Sequence, residues 1–100
     1  MKPFDRIYRV VASIPKGKVL VYREVAMKAR VQNPQVVGFA LHRNKDPKKV
    51  PCHRVVRSDG TLAKGYAFGG LKAQKRKLEQ EGVLFTEEYR IDLARSLAIR

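Results

Sequence analysis

Acidic residues, cysteine and histidine are all scarce in this chain of 100 residues, which has 9 Asp and Glu, one Cys and two His. One cysteine forms no internal disulfide. One Cys with two His supplies too few soft ligands for a closed zinc site, so no structural metal and no cofactor is expected. Long apolar runs are lacking too: nothing approaches the ~20 residues that cross a bilayer, and Met1 to Asp5 lack a signal-peptide layout. The chain therefore reads as soluble and intracellular with no membrane partner, placed in the cytoplasm or nucleoid, or in the nucleus of a eukaryote. No repeat, linker or low-complexity tract divides it. Residues 1–100 read as a single domain in which binding and chemistry share one body.

Against those absences stands an excess of positive charge: 22 Lys and Arg give a formal net charge of +13. Polyanions are the natural partner, because Lys and Arg that neutralise phosphates release counterions and speed encounter. Charge alone also fits a ribosome-associated protein, a membrane-surface protein or a very soluble domain.

Phe4, Ile7, Tyr8 and Val11 recur at helical spacing, predicting an opening amphipathic helix that Ile14-Pro15-Lys16-Gly17 terminates. After an apolar stretch at Val19 to Val21, Val25, Ala26 and Ala29 mark a helix over Tyr22 to Arg30. Gln32-Asn33-Pro34 interrupts, and Val36, Val37, Ala40 and Leu41 mark a third helix running to about Arg43. Two helices meeting through a tight turn outline a helix-turn-helix. Asn44 to Lys49 reads as a loop. Val55-Val56 begins a strand, with a hairpin-type turn at Ser58-Asp59-Gly60 before Leu62. A glycine-spaced loop from Gly65 to Gly70 precedes a helix from Leu71 to Glu81, capped by Gly82. Val83 to Ile91 reads as extended, and Asp92 as the cap of a last helix ending at Arg100. The expected fold is mainly α with a short β-hairpin, a winged-helix-like helix-turn-helix domain.

Chemistry concentrates in Val50-Pro51-Cys52-His53-Arg54-Val55-Val56. A nucleophilic thiol must lose its proton, and neighbouring cations or an imidazole favour that. His53 and Arg54 adjoin Cys52, and Glu81 supplies a carboxylate able to orient an imidazole. Residue types leave alternatives open. A lone cysteine often packs as a small hydrophobe, His53 fits a structural role, and Arg54 fits a phosphate contact or a salt bridge.

The order of those residues resembles the active-site signature of the O6-alkylguanine-DNA alkyltransferases. Ile14-Pro15-Lys16-Gly17-Lys18-Val19 with Tyr22-Arg23-Glu24-Val25-Ala26 is similar to the family's approach to its helix-turn-helix, and Asn44 stands eight residues before Cys52, as the family's hinge asparagine does. Gly65-Tyr66, Gly69-Gly70-Leu71 and Glu81-Gly82 resemble its substrate-side loop and the helix after it. The resemblance implies that Cys52 accepts the alkyl group directly and irreversibly, one per molecule, with His53 activating it through water and Glu81 orienting His53. It implies that Tyr22 assists the flipped base, that the carbonyls of Cys52 and Val55 read the guanine edge, and that Tyr66, Ala67 and Phe68 close over it. Asn44 would tie the helix-turn-helix to the active-site turn. The implied partner is double-stranded DNA containing O6-alkylguanine, met by a monomer through the minor groove. Gln32, Asn33, Gln35, Gly38 and Arg43 are then expected on the DNA, with Arg54 beside the cysteine.

One position departs from the family pattern: Gln35 stands three residues before Gly38, where the family places an arginine that fills the gap left by the extruded base. Weaker flipping is expected from its smaller, uncharged plane. Two other readings compete with repair. Alkyltransferase-like proteins bind alkylated guanine without repairing it and usually replace the cysteine, which is retained here. A Cys-His hydrolase needs an oxyanion site and a substrate groove, and the sequence suggests neither.

Overall fold

The computed structural model describes residues 2–63 and 65–98. Helix α1 (Pro3–Ala12) starts on a proline, whose missing N–H costs nothing at a first turn, and buries Ile7 and Val11. It leads to a two-residue strand β1 (Leu20–Val21) and to α2 (Tyr22–Lys28). Arg30 adopts a left-handed φ of 58°, and Val31 N–H closes the turn onto Ala26 O at 2.9 Å.

Helix α3 (Pro34–His42) begins two residues earlier than its apolar pattern suggests. Asn33-Pro34 starts this helix as well as ending the approach to it: Asn33 Oδ1 accepts from Gln35 N–H at 2.9 Å, and Pro34 occupies the first helical position. Two side chains of α1 fix α2 and α3. Arg6 Nε donates to Ala29 O and Tyr8 OH to Ala40 O, both at 2.7 Å.

A single 3-10 turn, Cys52–Arg54, runs straight into β2 (Val55–Val56). Here the expectation of a hairpin through Leu62 is corrected. β2 pairs in parallel with β1, Leu20 opposite Val55 and Val21 opposite Val56, while the turn after it sends Thr61 to bridge Arg90. Val55 and Val56 are both fully buried, and a strand apolar on both faces suits a covered parallel pair. The hairpin lies further on, between β3 (Phe85–Glu87) and β4 (Arg90–Ile91), after α4 (Gly70–Gln80). A last helix α5 (Leu93–Ser96) stops short of the expected end. The backbone then runs beside Val19, Val19 N–H donating to Ser96 O at 2.7 Å and Ala98 N–H to Val19 O at 2.8 Å. The Arg100 end of that expected helix lies outside the described residues.

Strand alternation divides the interior. Leu20 and Val55 point into a core with Ile7, Val11, Val25 and Val37. Val19 and Val56 point into a second one with Leu78 and Ile91. Burying each such side chain contributes about 1.5–3 kcal/mol, so the parallel pair is a stiff bar between two cores, and the cysteine turn hangs on one end of it. None of the described helices is long and apolar enough to cross a membrane.

Candidate functional site

The turn that carries the cysteine is held from both sides. Cys52 N–H donates to Val50 O at 2.7 Å and Arg54 N–H to Pro51 O at 2.9 Å. Asn44, just past the end of α3, donates from Nδ2 to Val50 O at 2.8 Å while its Oδ1 accepts from Asp46 N–H at 3.1 Å. The helix-turn-helix and the cysteine turn are thus joined through one buried amide.

Cys52 is 5% exposed and forms part of the wall of a cavity of about 520 Å³, shared with Tyr22, Gly38, Arg43, Tyr66 and Ala67. That volume lies in the range that encloses a small organic ligand. Burial pushes the Cys52 thiol above its ordinary value, an effect partly offset by the Asn44 side chain, the turn's own backbone and the Lys77 ammonium. The thiol is therefore protonated at neutral pH and needs a proton acceptor to react.

The next residue, His53, is the candidate for that acceptor. Its Nε2 lies 2.9 Å from Glu81 Oε2, and Arg54 grips the same carboxylate through Nε at 3.0 Å and Nη2 at 2.7 Å. Burial lowers the His53 pKa, with Glu81 opposing the shift, so the ring is neutral. Burial alone would raise Glu81, but the hydrogen bonds from Arg54 and His53 outweigh it and hold the carboxyl below its ordinary value. An ionised Glu81 accepts, so the proton of the neutral imidazole sits on Nε2 and Nδ1 carries a lone pair. Nδ1 is buried and has no hydrogen-bond partner among the described residues.

Arg54 was expected on DNA. Its guanidinium is instead committed inward, to Glu81 and, through Nη1, to Ile14 O at 2.7 Å. It is the salt-bridge partner of the two readings left open. Val55 is fully buried and its carbonyl already accepts from Gln74 Nε2 at 3.3 Å. Phe68 does not line the cavity but packs edge-on against Tyr66, ring centroids 5.8 Å apart. Gln35 lies in an adjoining, more open hollow with Tyr22, Pro34, Gly38, Phe39 and Arg57. Gln32 and Asn33 are exposed and line neither space.

Three side chains of this region were not singled out from the sequence. Phe39 is 58% exposed and lines both the cavity and the hollow. Gln74 is 2% exposed, lines the cavity and clamps the turn by donating to His53 O at 3.1 Å as well as to Val55 O. Lys77 donates to Tyr66 OH at 2.7 Å. Gln74 had a signal: a polar residue on the helix stripe of Leu71 and Leu78, where periodicity asks for an apolar one. Among the described residues no group of three or more His, Cys, Asp or Glu is placed to hold a metal ion.

Residues 2–83 match the family model described as the 6-O-methylguanine DNA methyltransferase DNA-binding domain. A methylated-DNA--protein-cysteine methyltransferase of Methanothermobacter thermautotrophicus is 53% identical over 78 residues, covering 78% of this chain and 43% of that protein. Alkyltransferase-like protein 1 of Schizosaccharomyces pombe is 35% identical over 95 residues, covering 90% of this chain and 88% of that one. The crystal structure of S. pombe Atl1 in complex with damaged DNA containing O6-carboxymethylguanine superposes with a TM-score of 0.88 at 30% identity, covering 100% of both chains. This chain thus spans about half the length or less of the methyltransferases it matches, 43% and 56% for two archaeal ones, and nearly all of the alkyltransferase-like protein.

Proposed function

Because the chain belongs to the family of the 6-O-methylguanine DNA methyltransferase DNA-binding domain, we propose that it repairs DNA by moving the alkyl group of O6-alkylguanine onto its own Cys52. The observation that carries this reading is the arrangement at the cavity: a buried thiol in its wall, and on the next residue a neutral imidazole whose Nε2 is held by Glu81 and whose Nδ1 is unpartnered.

An O6-alkyl carbon inside a duplex is out of reach of a thiolate in line, so the nucleotide first leaves the stack and enters the cavity. The thiol proton passes to His53 Nδ1 through a bridging water, and the imidazolium is stabilised by Glu81. Sγ then forms a bond to the alkyl carbon as the carbon–O6 bond breaks, and the electron pair stays on the guanine. The imidazolium returns its proton, directly or through solvent, to the guanine. The products are a thioether and a normal base, and a thioether does not revert, so each molecule acts once.

Delivery falls to α3. Gly38 keeps its surface low at the cavity wall, which suits close approach to the minor groove of double-stranded DNA by a single copy of the chain. The site of action is then inside the cell, wherever its DNA lies. The second reading, a binder that recognises the lesion without repairing it, is favoured by the full-length match to the alkyltransferase-like fold. The retained thiol beside a proton acceptor supports transfer.

Intact-mass measurement after mixing the protein with an oligonucleotide containing O6-methylguanine decides between them. Wild type is expected to gain one methyl group and Cys52→Ala none. Binding without a mass gain in wild type establishes the binder, and a mass gain in Cys52→Ala removes Cys52 as the acceptor.

A further inference from the structure

Lys77 occupies a place in α4 that neither the relay nor the DNA surface explains. Its ammonium donates to Tyr66 OH at 2.7 Å and lies 5.3 Å from the centroid of the Tyr66 ring and 5.8 Å from that of Phe68. Those two rings belong to the loop before α4, and Tyr66 shares the cavity wall with Cys52. On its other side Lys77 lines a third hollow with His53, Arg54 and Glu81. One cation therefore touches the loop over the cavity and faces the proton relay behind it. An ammonium has donors only, so the Tyr66 oxygen is the acceptor and the phenol keeps its own proton free for another partner.

Building on the transfer reading above, we propose that Lys77 is a positioning residue for the reaction: it clamps Tyr66 and Phe68 beside the cavity, and its charge favours negative charge on Cys52 Sγ before attack and on the guanine as its bond to the alkyl carbon breaks. A fixed cation near a site that excludes water acts more strongly than the same charge in solvent.

The groups around Cys52 narrow the source of that field. Tyr8 from α1, Tyr22 from α2 and Tyr66 from the loop all sense the thiol, and burial raises each of these phenols, so all three are neutral at physiological pH. Arg43 is exposed at the cavity's edge, Asn44 carries no charge, and His53 is neutral. Among the described residues, Lys77 is a cation whose charge acts on Cys52 and His53 together, opposing the upward shift of the thiol and favouring the neutral ring.

The test reads thiol reactivity without DNA, so it stands apart from the repair reading. Iodoacetamide alkylation of Cys52 is followed by mass from pH 6 to 10 in wild type and in Lys77→Gln, Lys77→Met and Lys77→Arg. Lys77→Gln keeps an N–H donor on a side chain one bond shorter but carries no charge. Both neutral variants are expected to shift the half-maximal pH upward by about half a unit, slowing the reaction about threefold near pH 7.5. The curves should meet or cross at high pH, because a less acidic thiol is the stronger nucleophile once ionised. Lys77→Arg should restore the wild-type midpoint. A wild-type midpoint in Lys77→Gln overturns the proposal, and so does a loss equal at every pH, which marks a packing role. If the midpoint shifts as expected but wild type gains no methyl group from damaged DNA, the charge effect on Cys52 stands and the repair reading falls.

Discussion

The cysteine turn and the α3 surface lie side by side, yet they are built on opposite terms. Around Cys52 the polar side chains are held by the protein itself: Asn44, Gln74, Arg54 and Glu81 each make at least two hydrogen bonds that fix the turn or the relay, and His53 Nδ1 and Gln74 Oε1 are the buried atoms there left without a partner among the described residues. On α3 the outward residues Gln35 and Phe39 point away from the core, and the helix is fixed from behind through Tyr8 and its buried face. The chemical half is settled by the protein alone, whereas the delivery half, on the reading proposed, acquires its partners only from DNA. Mutations in the first should damage folding and chemistry together, and mutations in the second should spare folding.

The largest effect should come from Glu81→Ala, which strips Arg54 and His53 of their shared carboxylate at once. Leaving a largely buried guanidinium without its partner costs about 3 kcal/mol or more, and a disoriented base slows transfer about 100-fold. Denaturant melts and single-turnover mass measurements read the two losses. Loss of stability with transfer kept within threefold of wild type would break the link between relay and chemistry.

Acid should attack the same half next. His53 has a folded pKa below its unfolded value of about 6.5, so the unfolded chain binds the extra proton first and stability declines as pH falls below about 6.5. The depressed Glu81 contributes stability that is present above the unfolded carboxylate pKa and is lost as pH falls through its folded one. Two successive limbs of acid destabilisation follow, and His53→Gln should remove the first. A single limb confined to the carboxylate range in wild type would show that His53 is not held neutral.

How far the sequence reveals each half follows the same division. The Cys52, His53 and Glu81 set was legible because its order is distinctive, and the helices were legible from their apolar spacing. The parallel pairing of Val55 with Leu20 was not, because a two-residue strand carries no period and its partner lies 35 positions away. Arg54 was ambiguous for a related reason: a guanidinium beside a reactive thiol suits a phosphate as well as a carboxylate, and only the fold brings Glu81 and Ile14 O to it. Phe39 was hidden inside the apolar pattern of α3, which identifies a helix but does not say that one of its large side chains faces out.

That outward aromatic gives a test of the delivery half. Phe39→Ala removes an exposed side chain, so stability should stay within about 0.5 kcal/mol. Transfer from duplex DNA should slow about tenfold, since an apolar side chain at a cavity mouth is suited to wedge between base steps. Transfer from the free O6-methylguanine base should not change. Equal slowing on both substrates would place Phe39 in the chemical half. Gly38→Ala divides the two halves more finely. A Cβ at Gly38 meets nothing within 4 Å, so replacing a mid-helix glycine should stabilise the protein by about 0.5–1 kcal/mol. Duplex affinity should nonetheless fall several-fold, because the added methyl occupies the space DNA approaches. Unchanged affinity would move the contact surface away from Gly38.

The smallest and most specific change is Gln35→Arg. Gln35 sits one turn before Phe39 on the same face of α3, and its exposed side chain has no packing to lose. A guanidinium there adds a charge toward phosphate and a broader plane to fill a vacated stack, so duplex transfer should quicken a few-fold, with a steeper dependence on salt. The gain should vanish on single-stranded substrate, where no stack is left open. It should also shrink in the Phe39→Ala background if the two side chains cooperate, and simply multiply with that loss if they act independently. A Gln35→Arg variant that is no faster on duplex, or faster on single strands alone, would mean that insertion into the stack does not limit the reaction, and the delivery half would then be as settled by this chain as the chemistry.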